Sequence, residues 1–334
     1  MNIENPTFQQ CMLRVKDPKK ALDFYVNKLG FTLVATYRFP QWKFDLFFLA
    51  TLPNDVEIPS KDPESKENKA WLWSYSGTVL ELTHNHGTES KDAFQYHNSN
   101  DPVPSPKPRG GFGHVAVNTP DVYALSKALE SKGVSFKKKP DEGRMKGLAF
   151  AYDADRCWVE IVERSEKYTH KNVCNFSQVM LRIKDPKKSI PFYRDLLQMT
   201  VVREMHFPKE KGDFSLYFMA TLTPEERKKC PDPTSPAARE FVKTLHNPVL
   251  ELTHNHGTET SDEPSYHTGN ADDFAFGHIG FLVNDVYTTC DKLEKAGVKF
   301  HKKPDDGTMK GLAFALDPDG YRIELIKRGW KPPF

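Results

Sequence analysis

Four pairs of polar residues recur in register along this chain: Gln10 and Gln178, Glu81 and Glu251, His114 and His278, Glu160 and Glu324. Two carboxylates, one imidazole and one amide oxygen would make an oxygen-rich site that is neutral once a divalent cation is bound, with coordination positions left over for water or substrate. Each of these residues interrupts an apolar, strand-like stretch, and strand side chains two apart point the same way. Gln10, Met12 and Arg14 therefore share a face opposite Cys11, Leu13 and Val15. Glu81, Thr83 and Asn85 oppose Leu80, Leu82 and His84, and Glu160 lies with Trp158 and Val162. A polar face of this kind looks either at solvent or into a polar cavity. All four residue types are kept in both copies while many exposed positions between them differ, which favours a duplicated chemical site.

These residues belong to longer repeats. LELTHNHGTE stands at Leu80–Glu89 and at Leu250–Glu259, QxMLRxKDPKK begins at Gln10 and Gln178, FGHxxxxxxDVY at Phe112 and Phe276, and MKGLAFA at Met145 and Met309. The chain thus reads as two copies of one domain, expected at residues 1–164 and 176–334 with a linker over 165–175. Each copy reads as strand, helix, strands, then strand, helix, strands. Asp17-Pro18 and Asp185-Pro186 open the first helix of each copy, because Asp caps free N–H groups and Pro is preset for the first turn. Gly30 supplies the left-handed residue after the first of these helices, whereas Gln198 replaces it in the second copy and predicts a weaker cap. Residues 53–68 and 223–238, rich in Pro and charge, are expected to be surface insertions.

Composition narrows the possibilities. A chain of 334 residues with 38% hydrophobic and 28% charged residues and a net charge of +2 is that of a globular protein, and gives no reason to propose nucleic acid. No apolar run approaches the ~18 residues that span a bilayer, and the N-terminus lacks a signal-peptide pattern, so no membrane and a cytoplasmic location are expected. The five cysteines, with no CxxC pair, suit a reducing compartment and argue against a thiolate metal site. His84 and His86 form a His-x-His pair, but His84 falls on the face opposite Glu81 near the strand end, which predicts a capping or surface role. Asn175-Phe176-Ser177 reads as a chance glycosylation sequon.

Taken in order, QxMLRVKDPKK, LELTHNHGTE, GFGHVAV, KKPDEGRMKGLAF and the strand holding Glu160 resemble glyoxalase I, of the vicinal oxygen chelate superfamily, through nearly all of both copies. The resemblance implies an α+β fold of tandem glyoxalase domains, in which paired βαβββ units form curved sheets around metal sites. It also implies the fused, two-copy form, a monomer, with each metal shared between different copies. One site would then join Gln10 and Glu81 with His278 and Glu324, and the other Gln178 and Glu251 with His114 and Glu160.

The implied activity is that of a lactoylglutathione lyase in methylglyoxal detoxification. The hemithioacetal of methylglyoxal and glutathione is isomerised to S-D-lactoylglutathione through a metal-stabilised enediolate. Glu160 and Glu324 match the family's principal base, and Glu81 and Glu251 its second carboxylate ligand. Glutathione, a dianion at its carboxylates, calls for cations and amides. Arg14, Asn85 and Lys302 match its contacts at one site, and Arg182, Asn255 and Lys138 at the other. Arg109 matches a further contact, one glycine out of register; the second copy shows Phe274 at that place, so the Gln10 site is expected to bind glutathione less well. Met145 and Met309, with Leu148 and Leu312, fall in a flexible loop over the substrate.

Zinc is the expected metal, one ion per site and two per chain, because the insertions resemble the longer, zinc-dependent members; nickel or another divalent cation is the alternative. Ring-cleaving dioxygenation on the same scaffold would want two His and one carboxylate on iron, and each site here matches one His and two Glu. A thiol-conjugate or drug-binding protein would not need both carboxylate pairs.

Overall fold

A computed structural model describes residues 3–103, 108–143, 145–170, 172–270 and 273–331. The first quarter of the chain runs β1 (Thr7–Val15), α1 (Pro18–Leu22), β2 (Thr32–Phe39), β3 (Phe44–Ala50), α2 (Lys66–Leu72) and β4 (Val79–Asn85). The second runs β5 (Arg109–Gly110), β6 (Phe112–Thr119), α3 (Val122–Ser131), β7 (Phe136–Lys138), β8 (Ala149–Tyr152) and β9 (Trp158–Glu163). The third repeats the first as β10 (Asn175–Ile183), α4 (Pro186–Pro191), β11 (Thr200–Phe207), β12 (Phe214–Ala220), α5 (Pro224–Lys229), α6 (Pro236–Val242) and β13 (Val249–Asn255). The fourth repeats the second as β14 (Tyr266–His267), β15 (Phe276–Val283), α7 (Val286–Lys295), β16 (Phe300–Lys302), β17 (Ala313–Leu316) and β18 (Arg322–Lys327).

The helix caps follow the sequence chemistry. Asp17 accepts from the backbone N–H of Lys19 and Lys20, and Asp185 from that of Lys187, each with proline in the first turn. After the wider turns that continue α1 and α4, Gly30 has φ +79° and Gln198 φ +54°, so glutamine occupies the left-handed position that glycine fills without strain.

The copies exchange halves. One eight-stranded sheet has the order β16-β17-β18-β15-β1-β4-β3-β2, and the other β11-β12-β13-β10-β6-β9-β8-β7. The first quarter therefore shares a sheet with the last, and the two middle quarters share the other. Antiparallel pairs β1–β15 and β10–β6 make the joins. One face of both sheets, with α1, α3, α4 and α7, encloses a common core that includes Cys11, Leu13, Phe112, Phe176, Leu181 and Phe276. Phe112 and Phe276 stack at 4.9 Å between ring centres. Each such side chain contributes about 1.5–3 kcal/mol on burial, and the face that supplies them is the one containing Cys11 and Leu13, as strand alternation requires.

The expected surface insertions are only partly superficial. Each ends in a helix that folds back, and Asn68 and Ala238 are fully buried. Asn68 donates through Nδ2 to the carbonyls of Val34 and Ser60 and accepts the Ser60 N–H, which stitches α2 to β2. An amide that satisfies three backbone groups is stable inside, whatever the polarity of its neighbours. All five cysteines are free thiols. Asn175, buried, accepts from Thr51 and donates to the His246 carbonyl, so its side chain is engaged in packing. Among the described residues, no helix is long and apolar enough to cross a membrane.

Candidate metal centre

Four neighbouring strands at the middle of the first sheet, β18, β15, β1 and β4, each contribute one inward polar residue: Glu324, His278, Gln10 and Glu81. Register places them together, since Met12 stands beside both His278 and Glu81, and Gln10 and Glu324 both face Gly280. A Cβ at Gly280 would lie 2.7 Å from Gln10 Cγ, so glycine there leaves room for the glutamine. Gln10 Nε2 donates to Glu81 Oε2 at 2.5 Å and to Glu324 Oε2 at 2.8 Å, and lies 3.1 Å from His278 Nε2. His278 Nε2 is 2.9 Å from Glu324 and 3.5 Å from Glu81.

The second sheet repeats the arrangement on β9, β6, β10 and β13. Gln178 Nε2 lies 2.5 Å from Glu160 Oε2, 2.8 Å from Glu251 Oε2 and 3.1 Å from His114 Nε2. His114 Nε2 is 3.3 Å from Glu160 and 3.7 Å from Glu251. Here Ala116 takes the place of Gly280 beside both Gln178 and Glu160.

All eight residues are buried. Burial alone would depress His114, yet the Glu160 and Glu251 carboxylates outweigh it and raise the imidazole to about 9. His278 is raised to about 9 in the same way by Glu324 and Glu81 against its burial. Burial pushes Glu81 up, opposed by the His278 imidazole and reinforced by the Glu324 charge. Two buried carboxylates converging on one point demand positive charge, and a divalent cation meets that demand with the donor types at hand. The ligand atoms of Glu81, His278 and Glu324, like those of His114, Glu160 and Glu251, lie within 4.8 Å of one another. Gln10 Oε1 is buried without a hydrogen-bond partner; turning the amide over, an isosteric change, aims that oxygen at the same point. The residues fit a metal ion.

Supporting groups fix the candidate ligands. Thr83 and Thr253 donate to Glu81 Oε1 and Glu251 Oε1 at 3.2 and 3.3 Å, and Phe314 and Phe150 stand edge-on to His278 and His114 at 5.3 and 5.5 Å. The Glu-x-Thr spacing was readable from the repeated block. Further along the same face, Asn85 donates to Tyr96 and Asn255 to Tyr266. Arg14 donates to the carbonyls of Phe274 and Phe276, and Arg182 to those of Gly110 and Phe112. These equivalent bonds set the register between copies: the counterpart of Arg109 is Asp273, and that of Gly110 is Phe274. Burial, with Arg109 nearby, lowers Arg182 to about 10. Lys138 and Lys302 donate to the carbonyls of Leu148 and Leu312 at 2.7 Å, holding the MKGLAF segment.

A cavity of about 230 Å³ adjoins the first centre, lined by Arg14, Asn85, Met309, Leu312 and Phe314 and, at its apolar end, by Tyr37, Phe48, Trp73 and Trp330. Those last four went unremarked in the sequence, because nothing local shows that α2 and the C-terminal tail close over β2. Met145, the counterpart of Met309, is 54% exposed. His84 and His86 do lie off the site. His84, buried, is 2.8 Å from Glu89, which also accepts the Gly87 N–H and closes the turn, and His86 pairs with Asp45. Asp45, His84 and His86 form a third cluster of ligand-type atoms, with Asp45 already neutralised by Arg38 at 2.7 Å.

The family model of the Glyoxalase/Bleomycin resistance protein/Dioxygenase superfamily matches residues 7–161 and 175–325. A lactoylglutathione lyase of Schizosaccharomyces pombe is 38% identical over 320 residues, 95% of each chain, and glyoxalase I of Saccharomyces cerevisiae 36% identical over 324 residues, 95% of this chain and 91% of that one. The chain belongs to the glyoxalase I family. The crystal structure of glyoxalase I from Zea mays superposes with a TM-score of 0.65 over 97% of this chain and 92% of that one, at 23% identity, and so shares the fold.

Proposed function

We infer that the protein is a metal-dependent lactoylglutathione lyase with two active sites, converting the glutathione hemithioacetal of methylglyoxal into S-D-lactoylglutathione. The observation that carries this reading is the convergence, twice, of a glutamine, a histidine and two glutamates from four central strands that belong to different copies. A divalent cation held by Gln10, Glu81, His278 and Glu324, or by Gln178, Glu251, His114 and Glu160, supplies positive charge for the oxygens that become negative as the proton leaves. The resemblance of the insertions to those of longer family members favours zinc, with nickel as the alternative, at one ion per site.

Glu324 in the first site and Glu160 in the second take the proton from C1 of the hemithioacetal and return it to C2. The C1 alcohol carbon becomes the thioester carbonyl and the C2 ketone becomes the alcohol, so no external oxidant or reductant is required. Glu81 and Glu251, across each site, serve as the second carboxylate. Arg14, Asn85 and Lys302 hold glutathione at the first site, and Arg182, Asn255, Lys138 and Arg109 at the second. Met309 closes over the first site and Met145 over the second. Because each sheet unites both copies, 1–164 and 176–334 joined through 165–175, the fused chain completes its sites as a monomer, and we place it in the cytoplasm.

Glu160→Gln and Glu324→Gln, singly and together, assayed after metal restoration, test the assignment. Each single variant retains the turnover of the untouched site, and the double variant loses at least about 100-fold. Wild-type turnover in the double variant would overturn the choice of base.

A further inference from the structure

The strand beside each second carboxylate carries a phenylalanine, Phe48 next to Glu81 and Phe218 next to Glu251. One strand further out, Phe48 is paired with Ala35, but Phe218 is paired with Arg203. Directly paired residues of a sheet share a face, so Ala35 and Arg203 occupy the same place on the inner walls of the two sites.

In the first site that wall is apolar throughout. Tyr37 and Trp73 stand edge-on to Phe48 at 5.8 and 5.5 Å, Trp330 stands edge-on to Trp73 at 5.4 Å, and the Tyr37 hydroxyl is used by Trp73 Nε1 at 2.8 Å. In the second site Met205 replaces Tyr37 opposite the equivalent leucine, and Lys243 replaces Trp73 at the helix C-terminus. Lys243 is committed to Glu163 at 2.8 Å. Arg203 is half-buried with its guanidinium 5.6 Å above the Phe218 ring, and among the described residues no carboxylate lies within ion-pair distance of it. The charges it feels are those of Glu251, which would be taken up by a bound cation, and of Arg239, which repels it.

A half-buried guanidinium with donors to spare is matched by a carboxylate that arrives with a ligand. Glutathione is not placed to supply one. Arg182 and Asn255 lie at the far ends of β10 and β13, and Lys138 lies on β7 at the opposite edge of the sheet from β11. The part of the hemithioacetal left to face Arg203 is the tail of the aldehyde.

Building on the lyase reading, we propose that the Gln178 site is specialised for 2-oxoaldehydes whose tail ends in a carboxylate, recognised by Arg203, and the Gln10 site for apolar and aromatic tails. The hydrogen moves from C1 to C2 as with methylglyoxal, and the tail carboxylate takes no part in bond making.

Single-site enzymes separate the two, Glu324→Gln leaving the Gln178 site and Glu160→Gln the Gln10 site. Each is assayed with the glutathione adducts of methylglyoxal, 4,5-dioxopentanoate and phenylglyoxal. The kcat/KM ratio of 4,5-dioxopentanoate to methylglyoxal is expected to be at least about tenfold higher in the Gln178 site, the size of one charge-assisted hydrogen bond, with phenylglyoxal favoured in the Gln10 site. Adding Arg203→Ala to the Gln178-site enzyme should lower that ratio about tenfold through KM, and Arg203→Lys should restore part of it. Equal ratios in the two sites, or a loss from Arg203→Ala that is the same for both aldehydes, would overturn the proposal. Failure of both single-site enzymes on methylglyoxal would instead strike the lyase reading.

Discussion

The two candidate metal centres agree in donor types, in most distances to within a few tenths of an ångström and in the groups that touch the donors, yet the walls beyond them differ. Beside the glutamine stands Gly280 in one and Ala116 in the other, and the position of Arg109 in the first copy is held by Asp273 in the second. The inner wall is Ala35, Tyr37 and Trp73 in one, Arg203, Met205 and Lys243 in the other. On the outer face Asp45, paired with His86, corresponds to Ser215, which bridges His206 and His256 at 2.9 and 2.7 Å. Groups aimed at a cation are held to tight distances by charge and geometry. Wall groups need only fill space and satisfy their polar atoms, so two copies of one domain can diverge there while keeping the same chemistry.

The largest test of the comparison is to separate the copies. A monomer of residues 1–164 would hold half of each sheet and two ligands of each centre, so it should show no measurable turnover by isomerase assay. Any activity it has should rise with the concentration of a dimer that rebuilds the centres from two first copies, and mixing in residues 176–334 should restore it. Activity in the isolated monomer would sink the shared-site account.

Walls come next. Trp73→Ala opens a cavity against Phe48, Tyr37 and Trp330 and should cost about 3–5 kcal/mol by denaturant unfolding. Lys243→Ala, its counterpart, removes an ion pair with the exposed Glu163 and should cost no more than about 1 kcal/mol. Similar costs would mean that the two walls are less different than their packing.

A third asymmetry is read by pH. His246, counterpart of Ser76, accepts from the Tyr168 hydroxyl at Nδ1 and donates to the Thr51 carbonyl from Nε2, an arrangement for the neutral ring. Burial, with His170 nearby, lowers it from 6.5 to about 4. Protons therefore bind the unfolded chain more readily. The stabilisation is complete above about pH 6.5 and is lost as pH falls toward 4, by at most about 3 kcal/mol. Thermal melts between pH 7 and 4.5 should show a shallower decline for His246→Gln than for the wild type; an unchanged slope would refute the shift.

The smallest effect concerns the helix ends. Gln198→Gly relieves a left-handed glutamine but loses the bond from its side chain to the Ile3 carbonyl, so the net gain should stay below about 1 kcal/mol. Gly30→Ala, with no such compensation, should cost about that amount, both measured by chemical denaturation.

Much of the site was legible because its signals are local. Period-two alternation set Gln10, Glu81 and Glu160 on their faces and turned His84 away, and both helix caps formed where Asp-Pro placed them. The insertions look wholly superficial from composition alone, since Asn68 is polar in sequence and only its backbone partners in the fold account for its burial. Arg109 corresponds to Asp273 and not to Phe274; the repeated FGH at Phe112 and Phe276 carries that alignment, which the extra glycine beside Arg109 obscures.

By itself the sequence determined that the site is duplicated, which residue types compose it and which way they point, for these follow from repetition and from the geometry of a single strand. Which quarter of the chain pairs with which, how near the four ligands come, and that Arg203 and Trp73 stand on equivalent walls were decided only by the tertiary structure. Those features depend on hydrogen-bond register between strands up to some three hundred residues apart, and long-range pairing leaves no periodic trace in the residues between.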